Sequence, residues 1–226
     1  MTTLQLSLAR MPALQRGDGA NVPLGPREGA LLAWLALEGP TPRARLAQLL
    51  WPESEPDAAR NALRQRLFQL RRTVGSELIS GTHTLTLADG VAHDLLDADT
   101  VLGETSHEFG DELRNWLAQQ RERRHHRLCQ SLAELADLAE AARDLPDALS
   151  HAAELLNLQP LSEEAHRRVM RLHYLAGDRP GALLAFDRCE QVLKHEVGVA
   201  PSPETLALLH TIQRAGSVGA GLRPVV

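Results

Sequence analysis

The sequence predicts a mostly α-helical protein with a small β component, in which a small mixed domain precedes an all-helical repeat domain. Three observations carry this prediction. The 226 residues, 43% of them apolar, suffice for two hydrophobic cores. Leucines recur at helical spacing through most of the chain, whereas short β-type runs occur only within 4–24 and 78–87. A motif in the second half also repeats after 34 residues.

Charge is unevenly distributed along this chain, whose formal net charge is −5. Residues 1–97 hold ten arginines and ten acidic residues and have no net charge. Residues 98–226 carry the whole net negative charge, with 14 basic and 19 acidic residues. Half of the arginines of the first segment fall in residues 60–72, RNALRQRLFQLRR. Such a local basic stripe says more about nucleic-acid binding than the total charge does.

Composition argues against membrane and disulfide-rich secreted proteins. No apolar run approaches the roughly 18 to 20 residues that a membrane-spanning helix needs, and the N-terminal segment lacks the features of a signal peptide. Cys129 and Cys189 are the only cysteines in the sequence, too few for a disulfide framework. We therefore expect a cytoplasmic protein without membrane contacts.

The first elements are predicted to be a β-hairpin and two helices. Short β-type runs flank residues 17–19, Gly-Asp-Gly, which predict the hairpin turn. Residues 26–38 place leucines on one helical side and are followed by Gly39, a residue typical of the position after a helix. Thr41 and Pro42 then predict the N-cap and first turn of a short second helix.

A third helix is predicted to run from about Pro56 to Gly75. Its apolar residues recur at spacings of 4, 3 and 4 and so form one stripe that faces a core. This stripe consists of Leu63, Leu67, Leu70 and Val74. Helical geometry puts Asn61, Gln65, Gln69 and Arg72 on the opposite face, with Arg64 and Phe68 along one flank and Arg66 along the other.

The polar residues of this helix suit recognition of DNA. Asn and Gln can make paired hydrogen bonds to adenine in the major groove, and Arg can do so to guanine or can bind phosphate. We expect base contacts from the outward ridge of Asn61, Gln65, Gln69 and Arg72. Contacts with the DNA backbone are expected from Arg60, Arg64, Arg66, Arg71 and His83. A solvated helix face is the alternative for the arginine-rich pattern, and an exposed turn residue is the alternative for His83.

A second hairpin is predicted directly after the third helix. The β-prone runs 78–80 and 84–87 are separated by Gly81, Thr82 and His83. A hairpin in this place is a wing. Strands, three helices and a wing in this order define a winged helix-turn-helix, whose third helix enters the major groove while the wing touches the flanking DNA.

The second half of the chain contains an internal repeat. Residues 143–149, RDLPDAL, and residues 177–183, GDRPGAL, superimpose Asp144 on Asp178 with an offset of 34 residues. A helix, a short turn and a second helix with this period are typical of tetratricopeptide repeats. Such helix pairs stack into a short solenoid with a concave surface. Helices from about residue 111 and from Pro203 are expected to cap the stack.

Segments of both halves resemble those of known regulators. NLQPLSEEAHRRVMRLHYLAGDRPGALLAFDRCEQVLKHEVGVAPSPETLALL resembles the bacterial transcriptional activator domain in its P-L-x-E-x-x-H start, its Gly-Asp turn and its P-S-x-E-T ending. VPLGPREGALLAWLALEG, RLAQLLWPE and LRQRLFQLRR are similar to the OmpR/PhoB-type winged helix of SARP-type antibiotic regulators. The resemblance covers roughly residues 3–212.

This resemblance implies a transcription factor, an activator that binds direct repeats in promoters and recruits RNA polymerase. Its partners would be double-stranded DNA and subunits of RNA polymerase, and a homodimer formed on DNA is compatible with it. The base-facing positions of the family fall on Asn61, Gln65 and Gln69, the ridge that periodicity also selects. The glutamine-rich ridge departs from the basic or aliphatic residues of relatives, and the wing lacks their usual Gly-Tyr end. The target sequence therefore cannot be transferred from the family.

These observations divide the chain into a winged helix-turn-helix domain at 1–98, a helical domain at 99–215 and a Gly-rich linker or tail at 216–226. Relatives often continue into further domains, as a chain ending in a linker allows. The contrasting hypothesis is a protein-interaction adaptor that never touches DNA. The zero net charge of the first domain and the absence of lysine before Lys194 favour the adaptor, and the segregated ridge of the third helix argues against it.

Neither an enzyme nor a cofactor is indicated by the sequence. The motifs G-x-x-x-x-G-K-[ST], G-x-S-x-G and H-E-x-x-H do not occur. His125 and Cys129 lie one helical turn apart, a spacing compatible with two metal ligands, but no third ligand can be named, so no metal site is predicted. Cys189 aligns with Leu155 in the repeat and is predicted to lie in the core.

Overall fold

The computed structural model describes residues 4–15, 20–74, 78–103 and 109–218. These residues form seven short strands and eight α-helices, which confirms a mostly α protein with a small β component. The chain packs as two compact units, residues 1–126 and residues 127–226. Each unit has its own hydrophobic core.

The first unit contains all seven strands and three complete helices. In chain order these are β1 (Leu4–Ser7), β2 (Ala13–Gln15), β3 (Asn21–Pro23), α1 (Pro26–Glu38), β4 (Thr41–Pro42), α2 (Arg43–Leu50), α3 (Pro56–Val74), β5 (Ile79–Ser80), β6 (Thr84–Leu87) and β7 (Val91–His93). One sheet has the order β3-β2-β1-β7 and the other the order β4-β6-β5. Strands β2 and β3 are antiparallel, as the predicted first hairpin requires, while its turn at 17–19 lies outside the described residues.

The connection between α1 and α2 differs from the prediction. Helix α1 ends where expected, at Gly39 with φ +75°, but Thr41 is not an N-cap. Thr41 and Pro42 form strand β4, in which Thr41 pairs with Leu85 of β6. The Thr41 hydroxyl accepts a hydrogen bond from Trp34 Nε1 at 3.1 Å and donates one to the Gly39 carbonyl at 3.0 Å. Thr41, which the local sequence predicts to be a helix cap, is thus held in place by pairing with a distant strand and by these two hydrogen bonds.

The apolar stripe of α3 fixes the orientation of this helix. Leu63, Leu70 and Val74 are buried, and Leu67 is partly buried against the same core. That core also contains leucines of α1 and α2, so α3 packs against the two preceding helices through the predicted face. The opposite face of α3 is left to solvent.

The second unit is entirely helical. It contains the later residues of α4 (Asp111–Ala141), then α5 (Leu145–Leu158), α6 (Glu163–Leu175), α7 (Arg179–Val192), a π-helical segment (Leu193–Val197) and α8 (Pro203–Val218). Residues 216–218, predicted to begin the tail, continue α8, and residues 219–226 lie outside the described part. The first residues of α4 pack with the first unit, where Trp116 Nε1 donates to Glu38 Oε1 at 2.6 Å. The domain boundary at residue 98 stays a prediction.

The 34-residue repeat in the sequence is also a repeat of backbone structure. The Asp144 N–H donates to the Ala139 carbonyl at 2.9 Å, and the Asp178 N–H donates to the His173 carbonyl at 2.9 Å. Both aspartates then cap the helix that follows, α5 or α7, by accepting a bond from a backbone N–H three residues on. The residue before each aspartate has positive φ, +64° at Arg143 and +78° at Gly177.

A carboxylate at the start of α6 joins this helix to the start of α8. Glu163 Oε2 accepts hydrogen bonds from the backbone N–H of Ser202 at 2.8 Å, from its hydroxyl at 2.7 Å and from the Thr205 hydroxyl at 2.5 Å. Arg167 donates to the same threonine at 3.1 Å. Glu163 belongs to the P-L-S-E motif and Ser202 and Thr205 to the P-S-P-E-T motif, so two segments that the sequence shows separately meet in one hydrogen-bond network.

This network predicts a pH dependence of stability. Burial raises the pKa of Glu163, but the hydrogen bonds from Thr205 and Ser202 and the charge of Arg167 outweigh burial, so its pKa lies below the ordinary value of 4.5. A depressed folded-state pKa stabilises the protein above the unfolded pKa, and this contribution is lost as pH falls through the folded-state value. We expect the melting temperature of Glu163→Gln to fall less steeply than that of wild type below about pH 4.5.

The neighbouring Glu164 supplies the control, because its side chain is exposed. Glu164→Gln should follow the wild-type pH curve. Parallel curves for wild type and Glu163→Gln in thermal unfolding between pH 3 and 7 would contradict the stabilising role of the Glu163 charge.

Candidate nucleic-acid interface

The outward ridge of α3 is solvent-exposed along its length. Asn61, Gln65, Gln69 and Arg72 are all exposed, as predicted from the position of the apolar stripe. Asn61 and Gln69 lie eight residues apart, roughly 12 Å along the helix axis. This is the length over which a helix in the major groove can meet three to four successive base pairs.

The five arginines of α3 have different surroundings. Arg66 forms an ion pair with Glu28 of α1 at 2.6 Å, and only 11% of the Glu28 side chain is exposed. Arg60 pairs with Asp57 on the surface of the same helix. Among the described residues, no carboxylate lies within ion-pair distance of Arg64, Arg71 or Arg72. These three are the arginines whose charge stays available to a ligand.

The Arg66–Glu28 pair is expected to stabilise the first unit. In Arg66→Met, the nearly buried Glu28 carboxylate loses its partner, which should lower the free energy of unfolding by about 1 to 3 kcal/mol. The matched variant Arg60→Met loses only a surface pair and should cost less than about 0.5 kcal/mol. Urea unfolding of the two variants measures the difference, and equal losses would show that the α1–α3 pair contributes no more than a surface contact.

A cleft lies between α3 and the wing. It has a volume of about 240 Å³, and its lining includes Leu70, Leu78 and Leu85 as well as the guanidinium-bearing residues Arg43, Arg64 and Arg71. Two arginines of α3 and one of α2 thus converge beside the wing. Such a cluster of guanidinium groups suits a phosphate group of a nucleic-acid backbone.

Arg43 is a candidate that sequence reasoning missed. Its backbone N–H donates to the His83 carbonyl at 2.8 Å, and its guanidinium lies 3.5 Å from the Thr82 carbonyl oxygen. These contacts follow from the pairing of β4 with β6, which joins segments about 40 residues apart. Local periodicity carries no signal of such a contact.

The predicted wing is present as an antiparallel hairpin. Ile79 of β5 pairs with Leu87 of β6, and Ser80 pairs with Thr86. Gly81 opens the turn with φ +99°, and a Cβ atom there would lie 2.0 Å from the Thr84 carbonyl oxygen, so the turn requires glycine. His83 is exposed at this turn, as expected.

The structure offers no support for a metal site or a reactive thiol in the part of the chain that it describes. No group of three or more His, Cys, Asp or Glu side chains converges there, His125 and Cys129 included. Cys189 is fully buried, as predicted, and burial raises the pKa of its thiol to about 11. Within the same residues, every helix is too short or too polar to cross a bilayer.

Comparison with known proteins gives a family and a fold. A family model described as the bacterial transcriptional activator domain matches residues 92–213. Among solved structures, the chain is similar to Mycobacterium tuberculosis EmbR in complex with a low-affinity phosphopeptide, with a TM-score of 0.57 and 20% identity. That match covers 100% of this chain and 67% of the EmbR chain, and at this identity it concerns the fold alone. None of the curated proteins matches the chain.

Proposed function

This chain belongs to the bacterial transcriptional activator domain family, and from that premise we propose that it is a sequence-specific DNA-binding regulator of transcription. Helix α3 would enter the major groove of promoter direct repeats, as in an OmpR/PhoB-type winged helix, and the wing would touch the flanking DNA. The observation that carries this proposal is the exposed amide ridge of α3, beside three arginines that have no carboxylate partner among the described residues.

Arginine side chains would contribute mainly to the affinity for DNA, and amide side chains to its sequence selectivity. Guanidinium groups bind phosphates and release counterions, which supplies affinity without sequence preference. Arg64, Arg71 and Arg43 would have this role at the cleft beside the wing, together with His83. Amides bind base edges, so Asn61, Gln65 and Gln69 would supply selectivity, with Arg72 at the end of the ridge.

Arg60 and Arg66 belong to the predicted backbone-contacting set, and the proposal keeps them there with smaller contributions. Both side chains already meet a carboxylate, which offsets their charge. A phosphate contact by either residue would compete with an existing ion pair. The proposal thus ranks the five arginines of α3 by the partners that they have in the protein.

The second unit would make the protein contacts of the regulator. We propose that its helix pairs are of the tetratricopeptide type and that they help to recruit RNA polymerase as an activator does. Direct repeats would place two copies of the chain side by side on DNA, in the bacterial cytoplasm. In vitro transcription with RNA polymerase holoenzyme tests this part: transcript from a promoter with the repeats should rise with added protein.

Selection of bound sequences from a random duplex library with the full 226-residue chain tests the DNA-binding proposal. The expected result is enrichment of a spaced direct repeat whose affinity falls steeply with salt. Failure to enrich any sequence at low salt would overturn it and favour the adaptor hypothesis.

A further inference from the structure

Helix α3 carries one large apolar side chain on its solvent side. Phe68 is 61% exposed, and among the described residues of α3 it is the only large hydrophobic residue in that state. It follows Asn61 by seven residues, which places the two within about 20° of each other around the helix axis. Phe68 thus borders the amide ridge directly.

The ring of Phe68 lines the cleft beside the wing and also contacts a neighbour on the same helix. The guanidinium carbon of Arg72, one turn further on, lies 5.8 Å from the ring centroid. A cation–π contact of this kind at an exposed site restricts the ring without burying it. The ring therefore presents an apolar surface at a defined place among polar side chains.

The major groove of DNA offers one apolar group to such a surface. The edges of adenine, guanine and cytosine present hydrogen-bond donors and acceptors there, and only thymine adds a methyl group, at C5. Glutamine pairs with adenine, whose partner on the other strand is thymine. The ridge residues Gln65 and Gln69 lie on either side of Phe68 in the sequence. A glutamine amide and the Phe68 ring can therefore contact the same or adjacent A·T pairs.

Resting on the proposed function, we propose that Phe68 determines specificity by packing against the C5 methyl group of a thymine in the target site. The ridge then reads A·T pairs in two ways, by hydrogen bonds to adenine and by apolar contact with thymine. Each half of the direct repeat should contain a thymine whose methyl group matters more for binding than those of the other thymines.

Single replacement of thymine by deoxyuridine in the selected site tests this proposal, since it removes the methyl group alone. For the wild-type 226-residue chain, one or two replacements per half-site should weaken binding by about three- to tenfold, as expected for the loss of one buried methyl group. Phe68→Ala should bind the thymine and deoxyuridine forms of those sites equally, because its partner for the methyl group is gone. Fluorescence anisotropy with labelled duplexes measures both.

Two further variants separate a specific contact from a general effect. Phe68→Leu keeps an apolar side chain and should retain part of the thymine preference. Leu96→Ala removes a residue that is 72% exposed outside α3 and should keep the full preference. Thermal unfolding of Phe68→Ala should match wild type, since an exposed side chain is removed.

The outcomes distinguish this inference from the function on which it rests. If the wild-type chain selects no sequence, the proposed function fails. A second outcome is that the chain selects a site but tolerates deoxyuridine at every position, and a third is that Phe68→Ala loses as much affinity on deoxyuridine substitution as wild type does. In either case the proposed regulatory function is retained and the proposed role of Phe68 is wrong.

Discussion

The Gln65→Ala variant is expected to lose about 1 to 3 kcal/mol of binding free energy on the selected site, a 5- to 150-fold weaker affinity, and much less on random DNA. Gln65 is exposed at the centre of the ridge between Asn61 and Gln69. Truncation leaves an adenine edge without its two hydrogen bonds while the phosphate contacts persist. Titration of both DNAs with wild type and variant at one salt concentration measures the ratio.

Gln119→Ala is the matched control for this prediction. Gln119 is an exposed glutamine in the interior of another helix, α4, so its removal has the same helix-propensity effect without touching the ridge. It should bind both DNAs as wild type does. If Gln65→Ala weakened both DNAs equally, or neither, Gln65 would not be a base-reading residue.

Removal of the two α3 arginines at the cleft should change the salt dependence of DNA binding. The double variant Arg64→Ala/Arg71→Ala loses two phosphate contacts, so the slope of log K against log salt concentration should become shallower by about 2, at roughly 0.9 per contact. Selected and random DNA should be affected alike, because phosphates carry no sequence information. Affinities measured between 50 and 300 mM salt give this slope.

A double variant with the same change in net charge provides the control. Arg123→Ala/Arg188→Ala removes two exposed arginines outside α3, and its slope should equal that of wild type. Equal slopes for both double variants would mean that net charge rather than a local phosphate contact governs binding.

Local periodicity predicted the parts of the fold and of the candidate site that depend on a single helix. The 4-3-4 spacing of Leu63, Leu67, Leu70 and Val74 places both the buried stripe and the ridge, because in a regular helix one face determines the other. The repeated turn was visible for a similar reason, since Asp144 and Asp178 cap their helices through residues only three positions away.

Features that depend on contacts between distant segments could not be predicted from the sequence. Arg66 appeared equivalent to the other arginines of α3, but Glu28 lies 38 residues earlier and pairs with it. Thr41 looked like a helix cap because its pairing with Leu85 is decided by the fold. The contact of Glu163 with Ser202 also spans 39 residues. Pairings of this kind arise from packing, which periodicity does not encode.

Arg64, Arg71 and Arg72, which have no carboxylate partner in the part of the chain that the structure describes, belong to a chain of net charge −5. This contrast affects how the proposed regulator would approach DNA. Their attraction to the duplex acts within the Debye length, about 8 to 10 Å at physiological ionic strength. The net negative charge lies in residues 98–226, so that part of the chain is repelled by the polyanion. A protein that approaches DNA with α3 foremost is attracted instead. The charge pattern therefore selects the binding pose before contact and shortens unproductive residence on DNA.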